Sequence, residues 1–457
     1  MEFGRQFPSI QVEPPGPVAR AWVDRLAEVE CPAITARRDR RRAGGGSDPI
    51  VWARARGANV EDVDGNVYVD LSAGFAVASV GHAHPRVVEA ARGQLDTLIH
   101  GMGDLFPNRE KIELAEQLAS LTGGALPRSI FGMSGSDAVE ACIKTALITT
   151  GRRRVLGFSG GYHGMSLGAL GVSGYRDSFR EPFGGQVAGA ELRLPYPGTP
   201  GSPYEHDDGT RSLEHIAWLL RSDVVGGESI AAVIVEPVQG RAGDIVPPPG
   251  WLAGLRTLTR EAGVLLIFDE IYTGFGRTGR WFAHEHEGVV PDLMAVGKSL
   301  GGGFPLSACL GSEAAMAGWA LSSGEAIHTS TFLGNPLGCR MGLAVLSVLR
   351  EEGLVERAAA LGARALGWLR EGLAGDPRVA AVRGVGMMMG VALERDGAAW
   401  AGGGVAAMTG LLERGFIVSP GGAQGEVISL APPLVIDEAQ LEAGVAAVID
   451  WVRQQPA

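Results

Sequence analysis

Lys298 and Asp269 are the residues whose types and places could do covalent chemistry. Each closes a short apolar run: Val264-Leu265-Leu266-Ile267-Phe268 leads into Asp269-Glu270, and Leu293-Met294-Ala295-Val296-Gly297 leads into Lys298-Ser299. Continuous apolar runs of this length read as strands buried on both faces, as in a parallel sheet. An amine at the end of one such strand and a carboxylate at the end of another stand on the sheet's carboxyl edge, where open α/β sheets bind ligands. A plain ion pair would use the same two residues, and on this pair alone the two readings weigh equally. The surroundings decide between them.

The elements that must position this pair follow from pattern. From about residue 108 helix and strand alternate: amphipathic 109–121, strand 154–158 (Arg154 to Phe158), strand 230–235 ending at Glu236, helix 251–262, then the two runs above and a strand at 307–310. Such alternation predicts an α/β fold with a mostly parallel sheet. Ser134-Gly135-Ser136-Asp137 reads as the start of a helix over 134–150. Residues 60–71 read as a hairpin turning at Asp64-Gly65-Asn66. Residues 196–210, rich in Pro, Gly and Asp, read as a surface insertion. Short strands at 379–391, 416–418 and 427–430, closed by a helix over 438–453, suggest a small α+β domain. The expected division is 1–80 as an N-terminal arm with a small-domain segment, 81–335 as a large domain and 336–457 as a C-terminal small domain. A chain of 457 residues is long enough for this.

Composition bounds the function. The hydrophobic share of 46% and charged share of 20% are those of a globular protein. A net charge of −11 argues against a nucleic-acid partner, and the cluster Arg37, Arg38, Arg40, Arg41 and Arg42 reads as a solvated loop. No run is long enough to span a membrane and the opening residues lack a signal peptide's apolar core. Cys31, Cys142, Cys309 and Cys339 show no metal or redox spacing. The expectation is a cytoplasmic protein without a membrane partner.

Four strand ends now converge on one edge: Gly161-Tyr162-His163-Gly164, Glu236, Asp269 and Lys298. Pyridoxal phosphate gives that set a reason. Its aldehyde forms a Schiff base with a lysine, and its pyridine nitrogen needs a carboxylate partner to act as an electron sink. Its phosphate suits the small residues Gly135 and Ser136 at a helix head, where free N–H groups point at an anion. Tyr162 offers an aromatic face. A nucleotide-binding P-loop around Gly297-Lys298-Ser299 fails, because the glycine that motif needs five residues before Gly297 is Asp292.

With these residues in view the chain resembles the class III (ornithine/4-aminobutyrate type) pyridoxal-phosphate aminotransferases of fold type I, from about Val60 onward. The carrying motifs are Gly81-His82-Ala83-His84-Pro85, Ser134-Gly135-Ser136-Asp137-Ala138, Gly161-Tyr162-His163-Gly164, Glu236-Pro237-Val238-Gln239-Gly240, Asp269-Glu270-Ile271-Tyr272-Thr273-Gly274, Gly297-Lys298, and the run from His328 to Pro336. The resemblance implies roles. Lys298 would hold the cofactor and shuttle a proton, and Asp269 would pair with the pyridine nitrogen. Ile271 would pack behind the ring and Tyr162 in front. Gly135 and Ser136 would bind phosphate, and Thr331 would reach the phosphate of a neighbouring subunit. Tyr272 stands where many members carry Gln beside the ring's phenolic oxygen. Glu236 lies at the cofactor edge. The resemblance further implies a small-molecule amino donor, an oxo-acid acceptor, and a homodimer or dimer of dimers with shared active sites.

Two departures bear on substrate. Many members place Arg directly after the aromatic-His-Gly motif, where this chain has Met165, and Arg three residues before Pro432-Pro433-Leu434, where it has Ser429. An arginine fork is the usual way to hold a carboxylate. Losing both weakens a glutamate/2-oxoglutarate reading and favours a smaller or more apolar substrate. It also leaves Glu236 without its expected partner. Arg241 is a substitute by type but is expected to point elsewhere. A racemase or epimerase on the same fold is the alternative, since it needs the lysine, acid and ring but no second oxo acid. A binding protein on a dead enzyme fold is disfavoured because Lys298 and Asp269 are both present. The pairs His82/His84 and His284/His286 have metal-like spacing, but the first lies in a turn and the second flanks acids expected to be exposed.

Overall fold

The central strands form because their side chains are apolar on both faces. All six residues of Ile230–Val235 are buried, as are all four of Leu293–Val296 and all five of Ser307–Gly311. The computed structural model describes residues 2–31, 34, 49–187, 191–223, 226–319, 324 and 326–456. The arginine cluster at 37–42 lies outside them. The chain forms two compact units, Pro85–Ala359 and Met1–His84 with Ala360–Ala457.

The unit Pro85–Ala359 holds a sheet of seven strands: β1 (Arg128–Gly132), β2 (Arg154–Phe158), β3 (Glu191–Leu194), β4 (Ile230–Val235), β5 (Leu265–Asp269), β6 (Leu293–Val296) and β7 (Ser307–Gly311). Their spatial order is β1-β7-β6-β5-β4-β2-β3. Only β7 runs against its neighbours; the pairs β6/β5, β5/β4, β4/β2 and β2/β3 are parallel. Alternate residues therefore go to two cores. Val233, Val235 and Phe268 join Trp251 and Leu255 of helix α3 (Trp251–Glu261) and Ile216 of helix α2 (Thr210–Arg221). Ala232, Ile234 and Ile267 join Val139, Cys142 and Ala146 of helix α1 (Gly135–Thr150). With both faces covered, the carboxyl ends of β2, β4, β5 and β6 are left to carry polar groups on one edge. The fold class read from the sequence is the one found.

Residues 196–210 differ in part from a surface insertion. Tyr196 is fully buried and donates to the carbonyls of Glu236 and Pro237, because it closes β3 against the same core. The helix Pro336–Glu351, which the sequence grouped with the C-terminal segment, packs instead on the helices Pro85–Leu95 and Arg109–Leu121. Apolar positions at helical spacing mark a buried face but not which neighbour covers it.

The other unit is α+β. The strands Asn59–Asp62 and Val67–Asp70 pair as the expected hairpin. Its turn is fixed by Asp62, whose carboxylate accepts from the amides of Asp64 and Asn66, with Gly65 at φ 86°. A second sheet joins Val379–Val385, Met388–Arg395, Val427–Leu430 and Ser419–Gly421. Met387, Met388 and Met389 are fully buried core residues. The helix Glu438–Arg453 is closed by a capping box of Asp437 and Gln440.

Candidate active site

The edge begins at the head of α1. Ser134 caps the helix, and its hydroxyl accepts from the Asp137 amide at 3.2 Å while the Asp137 carboxylate accepts from the amides of Met133 and Ser134, both at 2.9 Å. Among the described residues the amides of Gly135 and Ser136 keep no acceptor, as first-turn amides do. A methyl on Gly135 would come within 2.9 Å of Ile271 Cδ1, so the glycine lets Ile271 lie close against the helix head. The Ser136 hydroxyl accepts from the Met165 amide at 3.1 Å, which ties this turn to the loop after β2.

Two acids stand one strand apart. At the end of β5, the buried Asp269 takes His163 Nδ1 at 2.7 Å on one oxygen and the Ile271 amide at 3.0 Å on the other. Burial alone would push His163 down, but the hydrogen bond and charge of Asp269, helped by Glu236, hold it above its usual value. Just past β4, the buried Glu236 accepts the amides of Tyr162 at 2.8 Å and Gly240 at 3.1 Å. Burial pushes its carboxyl up to about 7. His163's charge opposes that shift, Asp269's charge adds to it, and the two backbone donors oppose it.

Lys298 follows β6 with φ 39°, the left-handed region that costs a side-chain-bearing residue about 1–3 kcal/mol. Its Nζ lies 4.8 Å from the centroid of the Tyr272 ring. Burial lowers its pKa; Asp269 and Glu236 work against that, and the charge of Arg241 adds to it. Gly240 also lies against Tyr272: a methyl there would come within 2.5 Å of the ring.

Of the residues singled out in the sequence, Gly135, Ser136, Tyr162, Glu236, Asp269, Ile271, Tyr272 and Lys298 meet along this edge through these contacts. Thr331 does not touch them; it is exposed in a turn, beside Thr329, whose hydroxyl donates to Asp104 at 2.8 Å. Met165 is exposed. Ser429 lies on the strand Val427–Leu430 in the other unit. His163 went unassigned, although it sits inside the quoted Gly-Tyr-His-Gly motif. The signal that could have found it is a buried carboxylate in need of a cation and an imidazole at the next strand end but one. The acids beside His284 and His286, expected to be exposed, are partly buried, and His284 itself is buried, its amide and that of Ala283 donating to the buried Glu270 carboxylate.

These residues fit pyridoxal phosphate. Two free amides and a hydroxyl suit its phosphate. Asp269 spends only part of its roughly four lone-pair positions, so it can still accept from a ring nitrogen. Lys298 is held toward the neutral amine that adds to an aldehyde. Ile271, Tyr162 and Tyr272 supply apolar and aromatic surface around them.

Comparison with known proteins agrees. Residues 43–452 match the family model for aminotransferase class-III. The acetylornithine aminotransferase of Methanosarcina acetivorans is 38% identical over 411 residues, covering 90% of this chain and 92% of that protein. The alanine/serine racemase of Pyrococcus horikoshii is 35% identical over 445 residues, covering 94% and 90%. The solved (S)-enantioselective omega-transaminase from Thermomicrobium roseum superposes with a TM-score of 0.85 at 31% identity, covering 95% of this chain and 99% of that one. The chain belongs to the class III aminotransferases. It is a pyridoxal-phosphate-dependent transaminase of fold type I.

Proposed function

We propose that this enzyme moves an amino group from an amino acid or ω-amine to a 2-oxo acid, with Lys298 and Asp269 as its catalytic residues. When bound, pyridoxal phosphate supplies the sink for the electron pair left at the substrate's Cα. Lys298 would hold the group through its amine and would serve as the base that moves a proton at the substrate's Cα. Burial lowers its basicity, in the direction of the neutral amine that both tasks use. Asp269 would accept from the ring nitrogen, and His163 orients that carboxylate. Ile271 and Tyr162 would flank the ring, Tyr272 would stand by the phenolic oxygen, Gly135 and Ser136 would take the phosphate, and Glu236 fixes the Tyr162 loop. The convergence of these groups on one sheet edge carries the reading.

The working form is a homodimer or dimer of dimers in the cytoplasm, in which Thr331 reaches the phosphate site of a second copy. Exposed apolar residues support that assembly: Leu105, Phe106, Ile327 and Phe332 all face solvent in the single chain. The segments that carry them are joined, since the rings of His100 and Phe332 lie 5.3 Å apart.

The test is a half-reaction. Holoenzyme mixed with single L-amino acids, without oxo acid, should lose its visible absorption after one equivalent and release the matching oxo acid. Persistence of the band while D-isomer accumulates would overturn the reading in favour of racemisation, for which the Pyrococcus horikoshii relative is named. Lys298→Ala should lower turnover by more than about 10³-fold.

A further inference from the structure

The two positions where the family resemblance led us to expect carboxylate-binding arginines hold Met165 and Ser429, yet the edge is not without a guanidinium. Arg241 sits on a closed loop. Gln239 and Ile245 exchange backbone hydrogen bonds at 3.0 Å each way, and the amides of Gly243 and Asp244 turn back to the Gly240 carbonyl. Gly240 is pinned on one side by Glu236 and on the other by the Tyr272 ring. The loop therefore has little freedom in where it sends the next side chain.

That side chain runs to Tyr162. The Arg241 guanidinium lies 5.3 Å from the Tyr162 ring centroid and 5.1 Å from that of Tyr175, and the two rings meet edge to face at 6.2 Å. Arg176 lies over Tyr175 as well, at 4.9 Å. Packing against aromatic rings holds a guanidinium in place while leaving N–H donors free. Among the described residues no carboxylate lies within ion-pair distance of Arg241, and its Nε is buried with no hydrogen-bond partner. A buried guanidinium N–H without an acceptor is costly unless something arrives to take it. The charge is also felt at Lys298, whose ammonium it disfavours.

We propose that Arg241 binds the substrate's carboxylate and determines which substrates this transaminase accepts. One fork holds one carboxylate, so the favoured class is a monocarboxylic amino acid and its oxo acid. This rests on the transaminase reading above.

Three probes test it on holoenzyme: sodium propionate, titrated against the visible absorption; L-alanine; and isopropylamine, which replaces alanine's carboxylate with a methyl. In Arg241→Gln, propionate affinity should fall, and KM for L-alanine rise, by roughly 10- to 100-fold, the worth of a charge-assisted hydrogen bond. The loss with isopropylamine should be much smaller. Arg241→Lys keeps the charge without the fork and should fall between. Equal propionate affinity in wild type and Arg241→Gln, or equal losses with L-alanine and isopropylamine, would overturn the proposal. If Arg241→Gln loses its cofactor absorption, Arg241→Lys decides alone: unchanged propionate affinity and unchanged KM for L-alanine would overturn it. If wild type takes the amino group from neither these donors nor any other L-amino acid or ω-amine, the transaminase reading fails, while propionate binding still scores Arg241 by itself.

Discussion

Asp269 and Glu236 stand at the ends of adjacent parallel strands, both buried and both accepting two hydrogen bonds. They differ in who donates. One donor to Asp269 is an imidazole that can carry positive charge, whereas both donors to Glu236 are neutral amides. Glu236 is accordingly pushed up to about 7 by burial, despite its amides and despite His163 nearby. At equal burial, the charge of a carboxyl is decided by whether its partner can be a cation. The sheet thus sets one acid held against an imidazole, with lone pairs left for a ring nitrogen, beside a second whose proton comes and goes near neutrality.

Breaking the first acid should cost most. Asp269→Asn should retain cofactor and lose about 10²–10³-fold in kcat, the scale of losing one preorganised electrostatic contact. The same change removes the cause of His163's elevation, so the imidazole pKa followed by NMR should drop and leave burial in command. An imidazole that does not move would end the comparison. Next, His163→Ala should cost roughly 10- to 100-fold in kcat, the worth of its charged hydrogen bond, with Asp269 still in place. A rate equal to wild type would show that the imidazole does not support the acid.

Glu236 should respond mainly to pH. In the cofactor-free protein its folded pKa exceeds the usual carboxyl value of 4.5, so the folded state holds a proton that the unfolded chain releases. Its stabilisation is full in acid and falls as pH rises through about 7. His163, also raised, works in the same direction. Melting temperatures from pH 5 to 8 should therefore decline, and decline less in Glu236→Gln; identical slopes would refute the assignment. The smallest effect is on rate. Glu236→Gln keeps the shape but gives one backbone amide a donor instead of an acceptor, so kcat should fall by less than about tenfold, measured at the pH optimum.

The same contrast divides what the sequence made legible. The cofactor side could be read because each of its charged residues ends an unbroken apolar run, and strand ends are visible in composition. Val264 to Asp269 and Leu293 to Lys298 needed no tertiary information to be placed on one edge. His163 was missed because its role depends on a strand that is distant in the chain. Arg241 was expected to point away because loop side-chain direction has no periodicity. It is set by Gly240 lying flush on Tyr272 and by the Gln239–Ile245 bridge, and neither shows in a pattern of letters. The helix Pro336–Glu351 and the buried His284 belong with Arg241, since burial by a remote neighbour is decided by packing.

The cap of α1 has a consequence for the order of assembly. Ser134 and Asp137 close the helix end with their own side chains, so the fold does not wait on an anion to finish its first turn. What remains open, the amides of Gly135 and Ser136, is a socket complete before anything enters it. The apoprotein should then fold first and load afterwards. Cofactor supply would govern how many chains are active, and far less how many are folded.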